Sequence, residues 1–226
     1  MNPPSPLSNH PEARGGGRHP APPLLRTHLM HGPADHELMQ RARDGDERAF
    51  RELVDRYESV VAGVVVGMLG PGDDADDVGQ ETFIRFYRSL GSFRGEASLK
   101  TYLRRIAMNL SLNALKRRRR FAFRFLSRDR AREPLPEPPV VIDGEAEQRE
   151  VQARVRAAVD RLGPRHRPVV VLRMLDGCST RETAEVLGLP EGTVLSRLSR
   201  AMRQLEDELR PYVEMDAQDD TYEGAR

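Results

Sequence analysis

The chain has 226 residues with 36 Lys+Arg, 35 Asp+Glu, 38% hydrophobic residues and one cysteine, which at roughly 100–200 residues per domain predicts one or two small domains. Its longest apolar run, residues 60–70, is far short of the roughly 20 that cross a bilayer; no leader-like segment opens the chain, and a lone Cys178 excludes an internal disulfide and a Cys-rich zinc site, so a cytoplasmic protein is predicted. The net charge of +1 conceals opposed blocks, −8 over residues 35–81, +11 over 99–132 and −5 over 133–150, the pattern of separate surfaces facing separate partners.

Residues 1–34 hold 8 of the 17 prolines, a Gly15-Gly16-Gly17 run and no apolar periodicity, which predicts a disordered tail because so little apolar surface cannot offset ordering entropy. Five of the six histidines lie between His10 and His36, but their spacing is irregular and no metal site is assigned to them. From Asp35 the pattern becomes helical, with Phe50, Leu53, Val54, Tyr57, Val60, Val61, Val64 and Val65 recurring at three and four residues on one long helix. Gly70-Pro71-Gly72 stops it, and Asp73, Asp74, Asp76 and Asp77 open the next helix at the positive end of its macrodipole. Its stripe is Val78, Phe83, Phe86, Tyr87 and Leu90. Ser98 is the N-cap of a third helix carrying Leu99, Tyr102, Leu103, Ile106, Leu110 and Ala114, which runs into Lys116-Arg117-Arg118-Arg119-Arg120. Residues 121–148 contain four prolines and change sign from basic to acidic, so an extended linker is expected there. A second helical unit, residues 149–212, precedes an acidic tail at 213–226. No stretch alternates with period two, and the chain reads as all-α: two small helical domains on a string.

Residues 179–210 have helix-turn-helix spacing. Ser179 and Glu182 form a capping box, Ala184 sits at the tight crossing, Gly188 ends the first helix and Leu189 fills the turn. The second helix starts near Glu191, with Val194, Leu198, Met202 and Leu205 pointing inward and Thr193, Ser196, Arg197, Ser199, Arg200 and Arg203 on the opposite face. Hydroxyl and guanidinium groups there suit base edges and phosphates of a major groove. In the third helix, Asn109 and Asn113 share a face near Tyr102, Phe121, Phe123 and Phe125 and the basic run, a combination suited to unpaired bases. An ordinary helical hairpin with a solvated charged face, a free-standing dimeric regulator of duplex DNA, and a nucleic-acid enzyme remain alternatives. The last lacks convergent carboxylates or a nucleophile beside basic groups.

Gly45-Asp46-Glu47-Arg48-Ala49-Phe50, Asp76-Asp77-Val78-Gly79-Gln80-Glu81-Thr82-Phe83 and Leu103-Arg104-Arg105-Ile106-Ala107-Met108-Asn109, followed by Gly188-Leu189-Pro190-Glu191-Gly192-Thr193-Val194-Leu195-Ser196-Arg197-Leu198, resemble regions 2 and 4 of bacterial RNA polymerase sigma factors. The likeness is to the extracytoplasmic-function branch of the sigma-70 family. It places region 2 at residues 35–120 and region 4 at 149–212. It implies that Asp77, Gln80 and Glu81 contact the clamp helices of the polymerase's largest catalytic subunit. It further implies that Tyr102, Arg105, Asn109, Asn113, Lys116 and Arg117 face a melted minus-ten element, and that the loop 91–99 pockets a flipped base. Ser196, Ser199 and Arg200 would then face minus-thirty-five bases, Arg197 a phosphate, and the linker would thread the RNA-exit channel. No catalysis, metal or cofactor is implied, and an anti-sigma factor is the implied regulator. The chain departs from the family at Tyr102, where Trp is usual, at Leu195, where Lys or Arg is common, at Thr183 in place of Ile, and in a mid-helix Gly79. A near-neutral total implies weak DNA binding without polymerase, since few phosphates are neutralised against the acidic blocks.

Overall fold

In the computed structural model, which describes residues 34–93, 95, 97–126 and 144–223, helices begin where side chains can satisfy free backbone amides. Of the extended linker expected over 121–148, residues 121–126 are helical as the end of the third predicted helix and 144–148 are helical as the start of the next, a correction to its bounds; residues 127–143, 1–33 of the expected disordered tail and the last three residues lie outside the described ones. Helix α1 (Asp35–Arg43) is separated from α2 (Glu47–Leu69) at Gly45, whose φ of 93° few other residues tolerate. The helical pattern from Asp35 is therefore two helices. Asp46 makes the second start: its carboxylate accepts from the amides of Arg48 (2.9 Å) and Ala49 (3.2 Å) and pairs with Arg41 at 2.7 Å. After Gly70 and Gly72, both at positive φ, α3 (Asp73–Ser89) follows and ends in a short 3₁₀ turn. Ser98 caps α4 (Leu99–Leu126) by accepting the Thr101 amide at 3.1 Å.

Helices α5 (Gly144–Arg161), α6 (Arg167–Val170), α7 (Thr180–Leu187) and α8 (Glu191–Glu223) form the second domain. Residues Val171–Leu175 continue α6 as a π-helical turn, a rare widening in which the Asp176 amide reaches back to the Val171 carbonyl at 2.9 Å. No strand occurs among the described residues.

Leu38, Leu53, Val61, Val64, Met68, Phe86, Leu103 and Met108 are buried between α1, α2, α3 and α4. The same core takes in Val171, Leu172, Cys178 and Val186 from the second domain. The domains are thus more than beads on a string, since they share apolar surface worth roughly 1.5–3 kcal/mol per buried Val or Leu. Two smaller clusters serve the second domain itself: Ala158, Val159, Leu162, Val170, Ala201 and Leu205, and Val169, Ala184 and Val194.

The reason for the junction lies in α2. Gly63 and Gly67, four residues apart, clear one helix face, and a Cβ at Gly67 would stand 2.6 Å from Val171 Cγ1. Polar bonds close the same seam. Arg104 Nε lies 2.6 Å from Asp176 Oδ2, with the two side chains only 3% and 9% exposed. Arg167, buried and held below its ordinary pKa chiefly by desolvation, donates to the Met68 carbonyl at 3.0 Å. Single-sequence periodicity registers none of these contacts.

Candidate nucleic-acid interface

The helix-turn-helix is built from its caps outward. The Ser179 hydroxyl accepts the Glu182 amide at 3.1 Å, and the Glu182 carboxylate accepts the Ser179 amide at 2.8 Å. That backbone bond is the main cause holding the Glu182 carboxyl below its ordinary pKa. Gly188 takes a left-handed conformation (φ 63°), and the Leu189 amide closes on the Ala184 carbonyl at 3.0 Å. Thr183, where the family often has Ile, is fully buried with its hydroxyl donating to the Ser179 carbonyl at 2.8 Å, so the polar substitution is satisfied.

On α8 the inward stripe is Val194, Ala201 and Leu205, with Leu198 half-buried. Met202, expected inward, is 41% exposed. A straight helix at 3.6 residues per turn advances from 194 to 198 to 201, which brings Ala201 to the contact in its place. The outer face carries Ser196, Ser199, Arg200 and Arg203 exposed, with Thr193 and Arg197 half-buried beside them. The Ser196 hydroxyl donates to the Thr193 carbonyl at 3.1 Å, and Arg203 Nη2 lies 3.5 Å from Ser199 Oγ. Leu195 projects from this face, 53% exposed.

Helix α4 supplies a second polar face. Arg105, Asn109, Asn113, Lys116 and Arg117 are exposed at three- and four-residue spacing, which aligns them. Asn113, Lys116, Arg117 and Arg120 line a groove of about 440 Å³. Tyr102 is half-buried, its ring 4.8 Å from that of Phe93. Phe121 is exposed, while the side chains of Phe123 and Phe125 lie outside the described ones.

The basic run is divided in use. Arg118 Nε sits 2.5 Å from Asp74 and its Nη1 donates to the Leu69 carbonyl at 3.0 Å, with Arg117 3.8 Å from the same carboxylate. Part of the acidic start of α3 therefore pairs with the basic end of α4. Sequence blocks of opposite sign, read as facing different partners, meet each other here.

Arg43 is the residue that sequence reasoning missed. From the end of α1 its guanidinium donates to the carbonyls of Leu90 (2.8 Å) and Phe93 (2.6 Å), fixing the turn that presents Phe93 to Tyr102. At a helix C-terminus an Arg reads as macrodipole compensation, which hid this role. Arg94 and Glu96, in the loop read as a base pocket, lie outside the described residues.

On α3, Asp77 and Gln80 are exposed, and Glu81 is half-buried and bonded to Arg85 at 2.8 Å. Ile84, one turn on, is 44% exposed and adds an apolar contact to this ridge. Tyr87, read as core from its stripe, is 53% exposed and meets Phe50 edge-on at 4.9 Å. Hydrophobic periodicity alone cannot separate an aromatic lying across the core rim from one inside it. Among the described residues no group of three His, Cys, Asp or Glu converges as a metal site, and no helix is long and apolar enough to cross a membrane.

A capped helix-turn-helix with a hydroxyl- and arginine-rich outer face, joined to a helical domain bearing an amide- and arginine-rich helix, defines a transcription factor of two-domain helical type. The family models for Sigma-70 region 2 and Sigma-70, region 4 match residues 53–121 and 152–205. The chain is 34% identical over 188 residues to the RNA polymerase sigma-H factor of Pseudomonas aeruginosa, a match covering 78% of this chain and 94% of that protein. It is 35% identical over 189 residues to the ECF RNA polymerase sigma-E factor of Escherichia coli K12, covering 79% and 96%. Among solved structures it resembles CnrH in complex with the cytosolic domain of CnrY, at 30% identity and a TM-score of 0.57, covering 79% of this chain and 99% of that one. The chain belongs to the sigma-70 family, in its extracytoplasmic-function branch, whose members direct RNA polymerase to promoters.

Proposed function

We propose that this sigma factor docks core RNA polymerase through the α3 ridge of Asp77, Gln80 and Glu81, with Ile84 as its apolar contact, against the clamp helices of the largest catalytic subunit. Helix α4 then takes the minus-ten element through Tyr102, Arg105, Asn109, Asn113, Lys116 and Arg117. Helix α8 takes the minus-thirty-five element, with Ser196, Ser199 and Arg200 toward bases and Thr193, Arg197 and Arg203 flanking them. The carrying observation is the exposed amide and basic face of α4 ending in the groove at Asn113, Lys116, Arg117 and Arg120. Melting by such a face needs no covalent step, because binding unpaired bases better than paired ones shifts the population toward the open strand. The chain acts in the cytoplasm, where the polymerase is. CnrH, solved with a second protein seated on it, supports control of this chain by an anti-sigma factor.

In vitro transcription with core polymerase and a pool of random promoters tests the reading, and enriched templates will carry paired minus-thirty-five and minus-ten elements. Arg200→Ala will relax minus-thirty-five preference roughly tenfold, the scale of one lost base contact at about 1–3 kcal/mol. Asn109→Ala will slow opening, read by permanganate reactivity, and leave closed-complex affinity intact. Equal loss at both steps in both variants refutes these roles.

A further inference from the structure

Leu195 is 53% exposed on the helix that the promoter reading lays in the major groove. A single apolar side chain on a surface is ordinary, so it is the position of this one that matters. Helix α8 starts at Glu191, which puts Leu195 in its second turn, within the N-terminal part of a recognition helix that reaches base edges. At 3.6 residues per turn Leu195 stands about 100° around the helix from the buried Val194, and Ser199 about 140°, so the two share a flank one turn apart. Met202 lies on the same flank, but at 1.5 Å rise per residue it is about 10 Å further along and away from the end that enters the groove.

The two serines beside Leu195 differ in what they offer a base. The Ser196 hydroxyl donates to the Thr193 carbonyl at 3.1 Å, which leaves its oxygen as an acceptor. Ser199 Oγ accepts from Arg203 Nη2 at 3.5 Å, which leaves its own proton free to donate. Leu195 can do neither. Set against a phosphate, a purine N7 or a guanine O6, it would take water from an acceptor and return no hydrogen bond, which is costly. The major groove offers one apolar group, the C5-methyl of thymine, and the same base carries the O4 acceptor beside it. An apolar side chain and a hydroxyl donor on one helix flank, with Cβ atoms about 5–6 Å apart, match that edge.

We propose, resting on the promoter reading of α8, that Leu195 and Ser199 together read one thymine of the minus-thirty-five element. Leu195 packs on the methyl group and Ser199 donates to O4. Cytosine is rejected there because it lacks the methyl and turns an amino donor toward a hydroxyl that already accepts from Arg203. Purines are rejected because Leu195 covers N7 without bonding it.

The test uses the full chain assembled with core polymerase. Templates are selected from a pool randomised across the minus-thirty-five element, and the native chain is expected to enrich thymine at one position where Leu195→Ala does not. Both residues are exposed and alanine favours helix, so Leu195→Ala and Ser199→Ala keep the fold. Deoxyuridine at the selected position removes the methyl alone. It will weaken binding by the native chain and by Ser199→Ala about fourfold, the scale of one buried methyl group, and by Leu195→Ala under roughly twofold. A 5-methylcytosine·guanine pair keeps the methyl and exchanges O4 for an amino group. It will cost the native chain about fivefold, the scale of one hydrogen bond, and Ser199→Ala under roughly twofold. An equal deoxyuridine effect in the native chain and Leu195→Ala, or an equal 5-methylcytosine effect in the native chain and Ser199→Ala, overturns the paired reading while the selected element still upholds α8 as the minus-thirty-five reader. No enrichment by the native chain at that element overturns both.

Discussion

Cys178 shows how one side chain records its surroundings. Burial first, and then its hydrogen bond to Asp176 at 3.2 Å, push the thiol up to about 12 from an ordinary value near 9. In the unfolded chain the thiol ionises near pH 9, while the folded chain holds the proton until about pH 12. Its contribution to stability is therefore complete below pH 9 and is lost as pH rises from 9 to 12. Cys178→Ala will be less stable at neutral pH, yet chemical denaturation across pH 9–12 will show a shallower decline than the native chain. Parallel slopes would mean that the thiol is already solvated. None of this was legible in the sequence, where a single cysteine only excludes disulfides. Ser179 and Glu182 are the opposite case: a local motif three residues apart predicted both bonds, because everything the cap needs is within one helical turn.

Helix α3 carries a glycine that its own geometry does not need. Gly79 is mid-helix, and a Cβ there would meet nothing within 4 Å. Gly79→Ala should therefore add about 1 kcal/mol of stability through the lower backbone entropy of the unfolded chain. For a domain pair of this size the melting temperature should rise by roughly 2–4 °C in calorimetry. No rise would mean that the helix is strained at this turn. If the same variant binds core polymerase more weakly, a partner's close approach beside Gln80 explains the glycine. Most elements were visible at this scale: the third-helix N-cap at Ser98, the stop at Gly70 and the start of α8 at Glu191 are local chemistry. The stripe of α8 differs from its periodic reading at Met202 because two four-residue steps from Val194 drift about 80° around a helix of 3.6 residues per turn, whereas Ala201, seven residues on, is only about 20° off.

For the whole molecule, the shared core changes what stability means. With Val171, Leu172, Cys178 and Val186 packed among side chains of α1, α2, α3 and α4, the two domains should unfold together. Differential scanning calorimetry of the native chain should give one transition with equal calorimetric and van't Hoff enthalpies. Arg104→Ala, which leaves Asp176 buried without its partner, should lower that transition and resolve it into two. Two transitions in the native chain would show that the core is not energetically shared. The charge blocks acquire a similar correction, since Asp74 spends its carboxylate on Arg118 and Arg117 within the chain.

The amino-acid sequence by itself determined the helical class, the two domains, the capping box and the polar faces of α4 and α8, because periodicity and caps act over a few residues. Tertiary structure alone decided that Gly67 receives Val171, that Arg104 is buried against Asp176 and that Arg43 supports Phe93. Those pairs are separated by dozens of residues, and their chemistry exists only when folding removes water from between them. Glycine, arginine and aspartate are ordinarily surface or turn residues, so nothing in their local pattern announced a buried seam.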